Sequence, residues 1–391
     1  MRTVAVIGGS LAGISAARAL REHGFDGRVV VVGAEDRLPY DRPPLSKEFL
    51  ADKIGIDDLA LTTDADAELD LDWRLGETAV RLDPRGRSVV LASGQEVAAD
   101  GVVLATGARA RPWPGDDLPG VHTLRTVDDA IALRDGLRSG GRLVVIGAGF
   151  IGAEVASTAR DLGVEVTVVE AERLPLAGVL GPELAAVCTS LHAEGGVRLI
   201  AGTPVAGLVG TDRVREVRLA DGRAVPADVV VVGIGALPNV EWLAGSGVDH
   251  DPRGVWTDAA GATNLPNVVA AGDCTFSHCA YAGVELRQEH WTNALQQASA
   301  AAATLLGRDA APARPAPPYF WSDQYGVRMQ FAGHRTADDE VEIIEGDPDS
   351  RRFVAGYRRD GRLVAVFAMN QPKLFAKWRR QLAAPAAAPL A

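Results

Sequence analysis

Two glycine-rich turns, each set between an apolar run and an alanine-rich segment, are the residues best placed to do chemistry in this chain. The second reads Gly147-Ala148-Gly149-Phe150-Ile151-Gly152, and Glu170 closes the apolar run after it. Glycines at this spacing let backbone N–H groups reach a pyrophosphate at a helix N-terminus, and an acid ending the next strand accepts hydrogen bonds from ribose hydroxyls. A carboxylate at Glu170 repels a 2′-phosphate, and Ala171 supplies no cation to neutralise one, so NADH is expected over NADPH. The first turn reads Gly8-Gly9-Ser10-Leu11-Ala12-Gly13, with serine where the second glycine of the pattern stands. Ala34 follows Gly33 there, which moves the expected ribose acid one place on, to Glu35.

The elements that must hold these turns form an internal repeat. Residues 3–35 and 143–172 each read as strand, glycine turn, amphipathic helix, terminating glycine and second strand, the start of a βαβ unit. The second strands, Val29–Val32 and Val166–Val169, are nearly all valine, as strands covered on both faces should be. Further strands are expected at Ser88–Leu91, Val102–Ala105 and Val229–Gly235, and a helix from about Thr292 to Leu306. The Pro-rich run Arg111–Pro119 suits a crossing between domains, and Arg308–Pro318 a linker. Beyond it, Arg328–Ala332, Glu340–Ile344, Phe353–Tyr357 and Leu363–Met369 read as strands before one late helix, and the tail Ala383–Ala391 is expected to be disordered. The expected architecture is α/β, with two Rossmann-like dinucleotide-binding domains and a small C-terminal α+β domain. The first would comprise residues 1–110 and 237–314, the second 111–236 and the third 315–391.

Composition narrows the classes. A chain of 391 residues exceeds one compact core, and 47% hydrophobic with 23% charged residues is ordinary for a globular protein. A net charge of −11 argues against nucleic acid as a partner, since phosphate binding needs a basic surface. No apolar run is long enough to span a bilayer, and MRTVAVIGG enters a strand without a signal peptide's separate apolar stretch, so a cytoplasmic protein is expected. Cys188, Cys274 and Cys279 are too few for a disulfide scaffold. Cys274 and Cys279, with His278 between them, have the spacing of some redox pairs, but they follow a Gly-Asp turn and read as ordinary loop residues. No metal site is expected, because no second Cys/His pair stands near.

Several motifs sharpen the reading. LPYDRPPLSKEFL (Leu38–Leu50), GFIGAE (Gly149–Glu154), GIGALPN (Gly233–Asn239), AAGD (Ala270–Asp273), EHWTNALQQ (Glu289–Gln297) and FWSDQY (Phe320–Tyr325) span the chain. Together they resemble the FAD-dependent NADH:ferredoxin reductases that serve Rieske oxygenases and cytochromes P450, enzymes of the glutathione-reductase-like fold. The resemblance implies FAD contacts from Ala12, Glu35, Arg42, Lys47, Val80, Arg125, Asp273, Trp291 and Trp321. Trp291 stands where some relatives have a smaller residue. The remaining cofactor-lining residues it implies are Gly8, Ser10, Gly13, Thr106, Gly107, Gly235 and Glu289, with Gly147, Gly149, Phe150, Ile151, Gly152 and Glu170 at the second turn. It further implies that Lys47 sits beside the flavin's reactive edge and pairs with Glu154, these two being the catalytic residues. A buried ammonium there would favour the reduced, anionic flavin, and its carboxylate partner limits the cost of burying it.

Disulfide reductases of this fold often carry a redox cysteine pair in the segment corresponding to Leu38–Leu50, which has no cysteine here. Electrons are therefore expected to leave the flavin directly. The resemblance implies that NADH reduces FAD, which reduces a [2Fe–2S] ferredoxin twice. Nine basic residues between Arg351 and Arg380, against Asp360 alone, offer a docking patch for an acidic ferredoxin. Rival readings are a rubredoxin reductase, an NADH oxidase, a nitrite-reductase-like flavin module, or, from another class, an NADH-binding redox sensor related to apoptosis-inducing factor.

Overall fold

Valine-rich strands form two parallel sheets, and each sheet carries one glycine turn at the C-terminal end of its central strand. The computed structural model describes residues 1–83, 87–115, 118–309 and 316–382. The chain runs through β1 (Thr3–Ile7), α1 (Leu11–Glu22), β2 (Arg28–Gly33), β3 (Leu71–Leu75) and β4 (Gly101–Leu104). It continues through β5 (Val121–His122), α2 (Val127–Arg138), β6 (Arg142–Ile146), α3 (Phe150–Asp161), β7 (Glu165–Val169), α4 (Pro182–Glu194), β8 (Arg198–Ile200) and β9 (Val229–Val232). β10 (Val268–Ala270) and α5 (Trp291–Leu305) then precede β11 (Tyr319–Gln324), β12 (Val327–Gly333), β13 (Glu340–Asp347), β14 (Arg352–Arg359), β15 (Arg362–Met369) and α6 (Pro372–Arg379).

The first sheet has the order β10-β4-β1-β2-β3 and the second β8-β7-β6-β9-β5, with every pairing parallel. β10 therefore returns late in the chain to the sheet begun by β1. α5 follows it, and its buried alanines Ala294, Ala298 and Ala301 share a core with Ala12, Ala16 and Ala17 of α1. Alanine lets these two helices approach closely over one face of the sheet.

Some elements differ from the sequence expectation. Ser88–Leu91 is a strand, but it joins Ala79–Asp83 and Glu96–Ala98 in a separate antiparallel sheet. The run Val229–Gly235 stops being a strand at Val232, because Gly235 turns the chain at φ +100°. Ala236–Pro238 then pairs antiparallel with Ala108–Ala110, joining the two connections between the parallel sheets. Cys274 lies in the turn after Asp273, but Cys279 and His278 do not lie in a loop: Thr275–Cys279 is a strand, held between Gly254–Thr257 and Val284–Leu286. Positions 116–117 of the Pro-rich crossing, 310–315 of the linker and the tail 383–391 lie outside the described residues.

The C-terminal sheet is antiparallel in the order β11-β12-β15-β14-β13. One face, with Met329, Phe353, Tyr357 and Phe367, packs on Leu184, Cys188 and Leu191 of α4. The other, with Val354, Val366 and Ala368, takes Phe375 of α6. Tyr357 Oη also donates to Leu180 O at 2.7 Å, so this sheet is fastened to the second parallel unit.

Candidate active site between two dinucleotide turns

Gly8 and Gly147 open the two turns at φ +122° and +102°, and a Cβ there would lie 2.0 Å from Ala105 O and 2.3 Å from Gly233 O. Only glycine lets the strand end cross so close to the next one. The helices that follow share a second trait. Neither α1 nor α3 has a side-chain cap or an acid in its first turn, whereas α2 carries a complete Thr126–Asp129 capping box. Free N-terminal N–H groups next to a glycine turn form a ready anion site. At Gly107, Gly149 and Gly235 a Cβ would meet nothing within 4 Å, so these backbones border open space.

The acids stand where ribose hydroxyls would need them. Glu170 accepts the Ala148 N–H at 2.8 Å and the Glu172 N–H at 2.9 Å, which aims its carboxylate back at the second turn. Glu35 accepts from Tyr40 Oη at 2.5 Å and from Arg42 Nη2 at 2.7 Å. Burial pushes the Tyr40 phenol far up, so it stays a donor to Glu35, while its oxygen accepts the Val127 N–H at 3.0 Å.

Segment 38–50 bridges the two units. Leu50 is in the core of the second sheet with Leu133, Val145 and Val155. Tyr40, Leu45 and Phe49 pack with Val127 and Ala130 of α2. Thus anchored, the segment presents Lys47 Nζ to Glu154 Oε2 at 2.9 Å. Glu154 lies on α3 and is 3% exposed. Its Oε2 also accepts from Ser46 Oγ at 2.6 Å, and Oε1 from Ser322 Oγ at 2.7 Å and the Asp323 N–H at 3.3 Å. Nothing in the local pattern of PPLSK or FWSDQY foretold that Ser46 and Ser322 would meet on one carboxylate.

The remaining candidates are held by contacts of their own. Arg125 donates to Asp273 at 2.5 Å and to Ala108 O at 2.9 Å. Gly272 sets the Asp273 turn against Ala12, where a Cβ would meet the Ala12 methyl at 2.9 Å, and a Cβ at Gly13 would lie 1.8 Å from Gly8 O. Thr106 Oγ1 donates to Asn239 O at 2.7 Å, and Asn239 Nδ2 donates back to Thr106 O at 2.9 Å. Val80 falls at a register shift in its strand and is 46% exposed, leaving its backbone outside the ladder. Trp291 Nε1 donates to Asp41 Oδ1 at 2.9 Å, and burial raises the Asp41 carboxyl. Glu289, also raised by burial, pairs with Arg287 at 2.8 Å. Phe150 packs on Phe320 with centroids 4.8 Å apart, Ile151 is exposed, and Trp321 stacks on Tyr319 at 5.9 Å.

Cys188, Cys274 and Cys279 are free and buried, and Cys274 Sγ donates to Ala271 O at 3.4 Å. Four of the nine cations in the basic stretch meet carboxylates: Arg351 pairs with Glu194, Arg358 with Glu342, Arg359 with Asp339 and Lys377 with Glu345. No helix among the described residues is long and apolar enough to cross a membrane.

Two uncapped dinucleotide turns on parallel sheets, with a lysine–glutamate pair between them and a third, antiparallel domain closing the site, define a two-dinucleotide oxidoreductase. Residues 2–298 match the family model described as pyridine nucleotide-disulphide oxidoreductase, and residues 319–391 the one described as reductase C-terminal. The chain belongs to this family and is an FAD- and NAD(H)-dependent oxidoreductase. It is 40% identical to the ferredoxin reductase component of chlorobenzene dioxygenase from Cupriavidus sp. (strain PS12), covering 98% of this chain and 93% of that one. It is 40% identical to the ferredoxin–NAD(+) reductase component of the biphenyl dioxygenase system of Paraburkholderia xenovorans (strain LB400), over 95% of this chain and 91% of that one. Putidaredoxin reductase, in the crystal structure of its covalent complex with putidaredoxin, superposes with a TM-score of 0.92 at 34% identity, over 97% of this chain and 92% of that one. The open glycine backbones, the uncapped helices and the paired acids all fit FAD at the first turn and NADH at the second.

Proposed function

We propose that this chain takes a hydride from NADH onto FAD and passes electrons singly to a [2Fe–2S] ferredoxin that serves a Rieske oxygenase or a cytochrome P450. The observation that carries the reading is the Lys47–Glu154 pair at 2.9 Å, set between the two turns on a segment without cysteine. Bound FAD supplies the step from two-electron to one-electron chemistry.

The chain's own residues do the rest. The first turns of α1 and α3 bind diphosphates, Glu35 and Glu170 bind ribose hydroxyls, and Glu170 disfavours NADPH. Arg125 fixes the Asp273 carboxylate at the first turn, beside the Thr106–Asn239 clasp. Lys47 holds a positive charge where the flavin gains electrons, and Glu154 keeps that ammonium in place. Trp291 and Trp321 wall the site from the side of α5 and β11. The return of β10 and α5 to the first sheet supports an FAD domain of residues 1–110 and 237–314, an NADH domain of 111–236 and a C-terminal domain of 315–391. We place the protein in the cytoplasm, where NADH and a soluble ferredoxin meet.

The test is spectroscopic. The purified protein should be yellow, bleach rapidly with NADH and slowly with NADPH in the absence of oxygen, and reduce cytochrome c only when a [2Fe–2S] ferredoxin is added. Absence of bound flavin, or bleaching without onward transfer to any ferredoxin, would overturn the reading.

A further inference from the structure

Ser10 occupies the N-cap position of α1, where a serine hydroxyl ordinarily accepts a hydrogen bond from the second or third helical N–H. It does not do so here: no side chain caps α1. The hydroxyl instead accepts from Arg42 Nε at 3.3 Å. The same guanidinium donates to Glu35 Oε1 at 2.7 Å and Arg125 O at 2.5 Å, and lies 5.0 Å from the Tyr40 ring centroid. Arg42 is thus held in one place by four neighbours, and three of its five N–H donors are used.

This arrangement is electrostatically unusual. A guanidinium is kept beside the positive end of a helix, which costs energy unless an anion answers both. Glu35 supplies one negative charge, but two lone-pair directions of its carboxylate are already spent on Arg42 and Tyr40. A helix N-terminus stripped of its cap and joined by an arginine matches a diphosphate, which takes backbone N–H groups and a guanidinium at once.

We propose that Ser10 is a positioning residue for the FAD diphosphate: its hydroxyl gives up capping α1 in order to hold the Arg42 guanidinium at the turn. The inference rests on the reading of the first turn as the FAD site. The serine then compensates for the missing second glycine, because what its Cβ takes in room it returns as an oriented cation. Glycine at this position would reopen the turn and release Arg42.

The experiment compares wild type, Ser10→Gly, Ser10→Ala, Arg42→Gln and Ser10→Gly/Arg42→Gln as full-length apoprotein. FAD, ADP and adenosine binding are measured by fluorescence and calorimetry, with thermal melting of each apoprotein as the control for folding. Loss of one oriented hydrogen bond should raise the FAD and ADP dissociation constants roughly fivefold in both serine variants. Adenosine, which lacks the diphosphate, should bind the wild type and the two single serine variants alike, and Ser10→Gly should add nothing in the Arg42→Gln background. Tighter or unchanged FAD binding in Ser10→Gly would overturn the proposal and leave the serine as mere crowding. So would an equal loss for adenosine, or a full additional loss in the Arg42→Gln background. A wild-type chain that takes up no FAD would overturn both this inference and the functional reading beneath it, whereas normal FAD uptake with indifferent serine variants would overturn this one alone.

Discussion

Lys47 and Glu154 are 107 residues apart in the chain and meet at 2.9 Å, with Glu154 almost wholly buried and Lys47 14% exposed on its side chain. Removing one member of a buried pair leaves the other charged and uncompensated. Lys47→Met and Glu154→Gln should each destabilise the protein by about 3 kcal/mol, and the double variant should recover part of that loss. Urea denaturation of the three variants checks this. If Lys47 serves the flavin as proposed, both single variants should also slow flavin reduction by NADH at least about tenfold.

Ser322 reaches the same carboxylate from the C-terminal sheet. Ser322→Ala leaves Glu154 Oε1 with the longer Asp323 N–H contact alone, at 3.3 Å. A hydrogen bond to a charged group contributes about 1.5–3 kcal/mol, so a stability loss in that range is expected. Because Glu154 holds Lys47, the midpoint potential of the bound flavin should shift as well. Potentiometric titration separates that effect from simple loosening of the fold: an unchanged potential would reduce Ser322 to a structural contact.

Glu170 bears on nucleotide choice. Its carboxylate is aimed by two backbone N–H groups, so it cannot swing away from an incoming 2′-phosphate without losing both. Glu170→Ser should weaken NADH and relieve the repulsion of NADPH, moving the ratio of the two kcat/KM values by roughly tenfold or more toward NADPH. Steady-state kinetics with both nucleotides measures it.

Much of this was legible from residue types alone, and the reasons differ by element. Val29–Val32 and Val166–Val169 announced parallel strands because burial on both faces leaves little room for polar residues. The glycine turns and Glu170 were legible because diphosphate and ribose binding need those groups at a fixed spacing. The partners of Glu154 were not. Ser46 and Ser322 come from two other domains, and a contact that exists only after three domains assemble leaves no mark in a local pattern. β11 was hidden for a related reason: Tyr319–Gln324 lacks alternation because Phe320 and Ser322 meet Phe150 and Glu154 while Tyr319 packs on Phe375 of α6. A count of cations over 351–380 does not show their partners: folding brings carboxylates opposite Arg351, Arg358, Arg359 and Lys377, which lie far off in the chain or on another strand.

Those pairings distinguish two arginines of the basic stretch. Reversing Arg358 breaks a surface pair with Glu342 and should leave ferredoxin binding nearly untouched. Arg379 lies on α6 with its guanidinium 4.4 Å from the Tyr319 ring centroid, and Tyr319 stacks on Trp321. Arg379→Glu should therefore raise the ferredoxin KM several-fold, roughly 3–10-fold, at low salt, with the NADH KM unchanged and the difference fading as ionic strength rises. Cytochrome c reduction at varied ferredoxin and salt concentrations decides between the two arginines.

His192 sets a limit on acid stability. It is 3% exposed at the contact between α4 and the C-terminal sheet, where its Nδ1 lies 2.8 Å from Tyr325 Oη. Burial brings its pKa down to about 4, against about 6.5 in an unfolded chain. The unfolded state therefore binds the proton first as pH falls, and stability begins to drop below about pH 6.5 and goes on dropping until the folded histidine also titrates near 4. Across that window the loss is on the order of 3 kcal/mol. His192→Phe keeps the ring packing and removes the titration, so its stability should be flatter between pH 6.5 and 4, at the cost of an unpaired Tyr325 hydroxyl at every pH. Denaturation midpoints of both proteins across that range test the assignment. Parallel pH profiles would place the acid sensitivity in other histidines, of which the partly buried His290, lowered by desolvation beside Phe320, is the next to substitute.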